Sequence, residues 1–184
     1  FRAMIRSNDA CTTEEELSEI VHAVHRNIIE SGGLVGGDNG IGTTFSAVRM
    51  LPDKFMLAHV GDSSVYHKNG QAFKHISTSH TLGNELIEKH GPDAMNDMPD
   101  HYMHTLTRCM GQDIDFSVDV ATFPIKPGDG VLICSDGVTN MVDEDIIESV
   151  MQEHEPRDFV PALIDLANQN GGVDNSTIVS FLVN

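Results

Sequence analysis

The chain has 184 residues, 40% of them hydrophobic, and a formal net charge of −17 at pH 7. That length sustains one globular core and is short for two. The acidic balance works against sequence-independent binding to nucleic acid or to an anionic membrane surface, because both repel it. No apolar run approaches the roughly 20 residues of a membrane span, and the opening FRAMIRSNDA lacks the charged-then-apolar pattern of a secretory signal. Cys11, Cys109 and Cys134 form no CxxC, which implies neither a disulfide framework nor a zinc site. A single domain spanning 1–184, with reduced thiols and a cytoplasmic location, is the expectation.

Thr13-Glu14-Glu15-Glu16 has capping-box spacing, and Leu17, Ile20, Val21, Val24 and Ile28 follow at helical intervals. The pattern predicts an amphipathic helix ending near Ser31-Gly32-Gly33. After the glycine-rich GGLVGGDNGIG come predicted strands over Thr43–Leu51, Phe55–Val60, Ser64–His67 and Ala72–Ile76. Their short connections imply antiparallel pairing, and Lys68-Asn69-Gly70 is a hairpin turn because Asn-Gly suits positive φ. A short helix over Leu82–His90 leads into the polar GPDAMNDMPDHYMH, read as a loop or flap. Phe116–Phe123 alternates with period two, and Val131–Cys134 is a short apolar strand. Two helices follow. The first has Asp143, Glu144 and Asp145 at its amino end and Ile146, Ile147, Val150 and Met151 on its buried face. In the second, Asp158 is the expected cap, Pro161 falls in the first turn, and Phe159, Val160, Leu163, Ile164 and Ala167 keep helical spacing up to Gly171-Gly172. A last strand covers Ser176–Val183. Strands in runs with helices grouped apart indicate an α+β fold.

Asp62 in HVGDSS, Asp136 in ICSDGV and Asp174 in GGVDNS each sit at a strand edge. Carboxylates that converge there without Cys or His select hard cations such as Mg²⁺ or Mn²⁺. For any one of them alone, an Asp beside Gly is ordinary turn chemistry. Taken together with their surroundings, they resemble the metal-dependent serine/threonine protein phosphatases of the protein phosphatase 2C (PPM) family. Gly42-Thr43-Thr44, Ala58-His59-Val60-Gly61-Asp62-Ser63, Leu106-Thr107-Arg108, Ser135-Asp136-Gly137 and Gly171-Gly172-Val173-Asp174-Asn175 stand in the family's order.

The resemblance implies a four-layer α-β-β-α sandwich of two antiparallel sheets, with the family's first strands absent from this chain. It further implies hydrolysis of phosphoserine and phosphothreonine in phosphorylated protein substrates by a water activated by two ions, Mn²⁺ or Mg²⁺. Asp136 and Asp174 are the positions carried over as metal ligands. Gly137 lets the chain turn close to them, Asn175 orients its neighbouring carboxylate, and Gly61 and Asp62 support the site structurally.

The family's upstream aspartate-glycine-glycine motif, which bridges both metals, has no equivalent in the sequence, and Asp38 in GGDNG is read as a turn residue. Two carboxylates supply too few ligands for two ions. Ser79-His80 stands where many members have aspartate-histidine, which leaves a third metal in doubt, and Ser64 replaces a frequent arginine. With Phe1 as the first residue, the expectation is a phosphatase domain seen in part; the alternative is a catalytically inactive phosphatase-like binding or regulatory module. The pairs His22/His25 and His101/His104 are read as solvated or partly packed side chains, and Cys134 as a core residue. The sequence leaves the oligomeric state open.

Overall fold

The computed structural model describes residues 11–35, 41–70, 72–112 and 116–183; Asp38 lies outside them. The chain divides into two compact units, one comprising Phe1–Gly61 with Ser79–Pro124 and the other Asp62–Thr78 with Ile125–Asn184. Both are built on antiparallel sheets with helices, an α+β architecture.

The first unit opens with helix α1, Glu14–Val35. Its capping box forms as the sequence predicts: Glu16 N–H donates to Thr13 Oγ1 (3.2 Å), and Thr13 N–H donates back to Glu16 Oε2 (3.1 Å). The helix does not stop at Gly32-Gly33 but continues to Val35. Gly32 is buried in the helix and serves packing: a Cβ there would lie 3.3 Å from the Ile41 backbone nitrogen. Strands β1 (Phe45–Met50), β2 (Lys54–Val60) and β5 (Asp119–Pro124) form a sheet of order β1-β2-β5. The register places Ala47 opposite Ala58, and Ala58 opposite Val120. Alternate residues Met56, Ala58 and Val60 of β2 pack with Leu17, Ile20 and Val21 of α1, so period-two and period-3.6 apolar faces close on one another. The edge strands are shorter than predicted: Thr43 makes only an isolated bridge to Met110, and pairing of the later strand starts at Asp119 rather than Phe116. Helix α2, Leu82–His90, has the predicted bounds and is capped by Thr81, whose hydroxyl accepts from Asn84 N–H. The flap sequence is two short 3-10 turns, Pro92–Asn96 and Asp100–His104.

The second unit holds β3 (Ser64–Asn69), β4 (Ala72–His75), β6 (Gly130–Cys134) and β7 (Ile178–Leu182) in the order β4-β3-β6-β7. The Asn69-Gly70 turn joins β3 to β4 with Gly70 at φ +60°, as the dipeptide requires. By contrast β2 and β3, although only Gly61-Asp62-Ser63 separates them, do not pair; they belong to different sheets. Helices α3 (Asp136–Thr139), α4 (Glu144–Glu153) and α5 (Pro156–Gln169) follow β6. Their fully buried Val138, Ile147, Met151, Phe159, Leu163 and Ala167 pack with Leu132 and Cys134. Ile146, expected on this face, is 40% exposed. Helix α5 begins earlier than predicted because Pro156 occupies its first position, where a missing N–H costs nothing. Glu155 is therefore the capping position, Asp158 lies in the first turn, and Pro161 lies inside the helix, where it removes one backbone hydrogen bond. Among the described residues, no helix is long and apolar enough to cross a membrane.

Candidate metal centre

Of the residues singled out from sequence, Asp136, Gly137, Asp174 and Asn175 come together in the second unit, which also contains Asp62, while Gly61 belongs to the first. Strand β6 delivers Ser135 in an extended conformation (φ −71°, ψ 161°), and the chain turns into α3 at Asp136. From the other side comes the segment after α5. Ser135 Oγ donates to the Asn175 carbonyl (3.1 Å) and accepts from Thr177 N–H (2.9 Å), while Ser135 N–H donates to the Thr177 carbonyl (3.0 Å). Ser176 Oγ donates to the Gly137 carbonyl (2.9 Å). These bonds seat the amino end of α3 against residues 174–177.

Gly137 makes that contact possible. A Cβ at this position would fall 2.5 Å from the Asn175 carbonyl oxygen and 3.2 Å from the Asp174 carbonyl carbon, so only hydrogen fits. Asp136 and Asp174 are thereby carried on chain segments in direct contact, Asp136 partly buried and Asp174 exposed. Asn175 meets the Asp174 carboxylate through its backbone, its N–H donating to Oδ1 at 2.6 Å. An open depression of about 360 Å³ is lined by Asn168, Gly172, Asp174, Asn175 and Ser176 among others, without Asp136. Asp62 stands just before β3, partly buried, and Gly61 before it has φ +112°.

The donor chemistry fits a hard cation in part. Mg²⁺ is usually held by one or two carboxylates, with water and substrate phosphate completing six ligands. Asp136 and Asp174 match that minimum, but among the described residues no group of three or more His, Cys, Asp or Glu is gathered. Soft ligation is remote: Cys134 is wholly buried in the core, and burial pushes its thiol up to about 12. Of the histidine pairs, His22/His25 packs, while His101 and His104 are exposed. His25 stacks on Phe116 at 3.7 Å and its Nδ1 accepts from Gly111 N–H, while His22 meets the same ring edge-on.

A second polar cluster, in the first unit, escaped the sequence reading. Asp119 Oδ2 lies 2.9 Å from Nε2 of His80, and Asp119 Oδ1 accepts from Arg108 Nη1 at 2.8 Å. Burial works against the charged carboxylate of Asp119, yet the hydrogen bonds from His80 and Arg108 hold it below the usual carboxylate range. The signal was present but divided: His80 and Arg108 each stood in a recognised motif, while Asp119 was simply one polar residue of an alternating strand.

The family model described as protein phosphatase 2C matches residues 4–182. The chain belongs to the protein phosphatase 2C family. A serine/threonine phosphatase named stp from Listeria monocytogenes is 29% identical over 180 residues, covering 95% of this chain and 71% of that protein. The solved structure of the serine/threonine phosphatase of S. agalactiae superposes with a TM-score of 0.80 at 29% identity, covering 92% of this chain and 70% of that one. The catalytic domain of the phosphatase PstP, solved in complex with two manganese ions, has the same fold; its TM-score is 0.80 at 23% identity, over 100% of this chain and 78% of that one. The two antiparallel sheets and their helices are thus those of the protein phosphatase 2C fold.

Proposed function

We propose that this protein is a metal-dependent serine/threonine protein phosphatase, that Asp136 and Asp174 are ligands of its divalent cation, and that both units together make one phosphatase domain. The observation that carries the assignment is the contact of Gly137 with residues 174–175, which brings together the chain segments bearing Asp136 and Asp174 in a chain of this family. The named activities of the Listeria and S. agalactiae relatives support the reaction class. When bound, Mn²⁺ or Mg²⁺ lowers the pKa of a coordinated water and offsets the charge of the phosphoryl oxygens. The chain's own residues supply placement. Asp136 is fixed by its position at the start of α3, and Asp174 by the Asn175 N–H on Oδ1. Ser135 and Ser176 bond the two segments to one another, which favours a preorganised site. The partner is a phosphorylated protein; the charge of −17 speaks against nucleic acid and anionic membrane. The three buried free cysteines suit a cytoplasmic setting.

The test has two readouts on wild type and on Asp136→Asn: Mn²⁺ binding by titration calorimetry, and phosphate release from a phosphothreonine peptide. The substitution is expected to weaken Mn²⁺ binding by roughly tenfold or more and to lower phosphate release with it. Unchanged affinity in Asp136→Asn removes that residue from the ligand set. Phosphate release that persists in the variant removes it from the reaction.

A further inference from the structure

Within the first unit, residues 81–107 form one excursion containing α2 and the two 3-10 turns. Backbone bonds close its base: Thr81 bridges Leu106, Leu82 N–H donates to the Thr105 carbonyl (2.9 Å), and Thr107 N–H donates to the His80 carbonyl (2.9 Å). The entry stem carries His80 and the exit stem Arg108. The Asp119 carboxylate on β5 reaches both, one oxygen to each.

His80 is 1% exposed, and its ring is committed on both sides. Nδ1 lies 3.0 Å from Gly61 N–H, which can only donate, so Nδ1 carries no proton and the neutral ring holds its hydrogen on Nε2, facing Asp119. The Gly61 carbonyl also accepts from His80 N–H (2.9 Å). His59, whose ring centroid is 5.0 Å away, differs in kind. Its Nε2 donates to the Gly61 carbonyl and its Nδ1 meets the Ser46 hydroxyl, which can donate or accept, so His59 keeps both bonds in either charge state. His80 does not. The charged and titratable groups around it are Asp119 of β5, Arg108 of the exit stem, His59 of β2 and Glu85 of α2.

We propose that Asp119 is a two-armed pin that ties both stems of the 81–107 excursion to β5, and that a proton added to His80 Nδ1 breaks the Gly61 contact and loosens the excursion. The proton comes from solvent and the bond lost is Gly61 N–H to Nδ1. The Asp119 contacts to His80 Nε2 and Arg108 Nη1 survive, so the excursion loosens without the sheet opening. Burial, and secondarily the Arg108 charge, lowers the His80 pKa from its ordinary 6.5 against the opposing pull of Asp119 and Glu85, so the loosening belongs to acid conditions. The pin is independent of the phosphatase reading, since it uses none of the carboxylates assigned to metal.

Hydrogen exchange of the full chain, followed by mass spectrometry from about pH 8 to about pH 5 and corrected for intrinsic rates, reads this directly. In wild type, peptides within 82–106 are expected to lose about tenfold in protection across the acid range while β1 and β2 hold theirs. Asp119 is 44% exposed, so Asp119→Asn is tolerated sterically and is expected to exchange fast in this segment at every pH. His80→Gln is expected to exchange fast without a pH step. A flat wild-type profile overturns the proposal, as does wild-type protection in Asp119→Asn. A pH step that persists in His80→Gln assigns the effect to His90, His101 or His104 and overturns it equally. Should a variant not fold, ¹⁵N tautomer measurement on wild-type His80 decides: hydrogen on Nε2 at neutral pH is expected, and hydrogen on Nδ1 refutes the latch.

Discussion

Gly137→Ala sets two effects of similar size against each other. Gly137 lies in α3, and replacing a helical glycine by alanine gains up to about 1 kcal/mol in backbone entropy and helix propensity. The new Cβ, however, would stand 2.5 Å from the Asn175 carbonyl oxygen, where ordinary contact begins at 3.4 Å. The oxygen cannot swing aside freely, because it accepts from Ser135 Oγ and its segment is bonded again at Ser176 and Thr177. Such overpacking costs typically about 1–3 kcal/mol, so the clash wins and a net loss of about 1–2 kcal/mol is expected. The displacement falls on the segments that carry the proposed ligands Asp136 and Asp174, and Mn²⁺ affinity should drop by roughly 10- to 100-fold, the range for losing the support of a metal ligand. Urea denaturation without metal gives the first quantity and calorimetric Mn²⁺ titration the second. An alanine variant at least as stable as wild type, with Mn²⁺ affinity unchanged, would refute the argument that close approach at Gly137 builds the site.

The thiol of Cys134, wholly buried and raised to about 12, should not react with an aromatic disulfide reagent near pH 8 until the chain unfolds; labelling in the folded state shows an opening at the end of β6. Stability should fall on mild acidification through His80 and His67, whose pKa values burial lowers from 6.5. A lowered value means that the folded chain binds fewer protons than the unfolded one. The contribution is therefore full above the unfolded value and lost as pH falls through the folded values. Urea midpoints measured from about pH 8 to about pH 5 check this, and a midpoint that rises on acidification contradicts the sign.

Periodicity revealed the elements that bury one regular face. The buried faces of α1 and α5 follow their apolar spacing because tertiary packing agrees with local pattern there. What stayed hidden depended on contacts distant in sequence. Gly32 lies inside α1, where a Cβ would crowd Ile41, α5 is capped at Glu155 rather than at Asp158, and strands β2 and β3 part company across a three-residue link that resembles a hairpin turn. At the site, the motif order drew attention to Asp136 and Asp174, while the serine hydroxyls that seat them belonged to no chemical pattern. Asp119 lay beyond reach for the same reason: its two partners come 11 and 39 residues away.

Ser135 and Asn175, joined by one hydroxyl, are 40 residues apart. Closing a loop of that size costs the chain roughly 3 kcal/mol in entropy before any ion is met. The intervening chain recovers it by burying Ile147, Met151, Phe159 and Leu163 against Leu132 of β6. Folding of the α4–α5 pair and assembly of the proposed ligand pair are thus coupled, and an ion that binds only the assembled pair draws the helices toward their docked state by mass action. A cavity cut at Phe159 or Leu163, far down the helix packing, would weaken metal binding by dissolving the closure on which the two carboxylates depend.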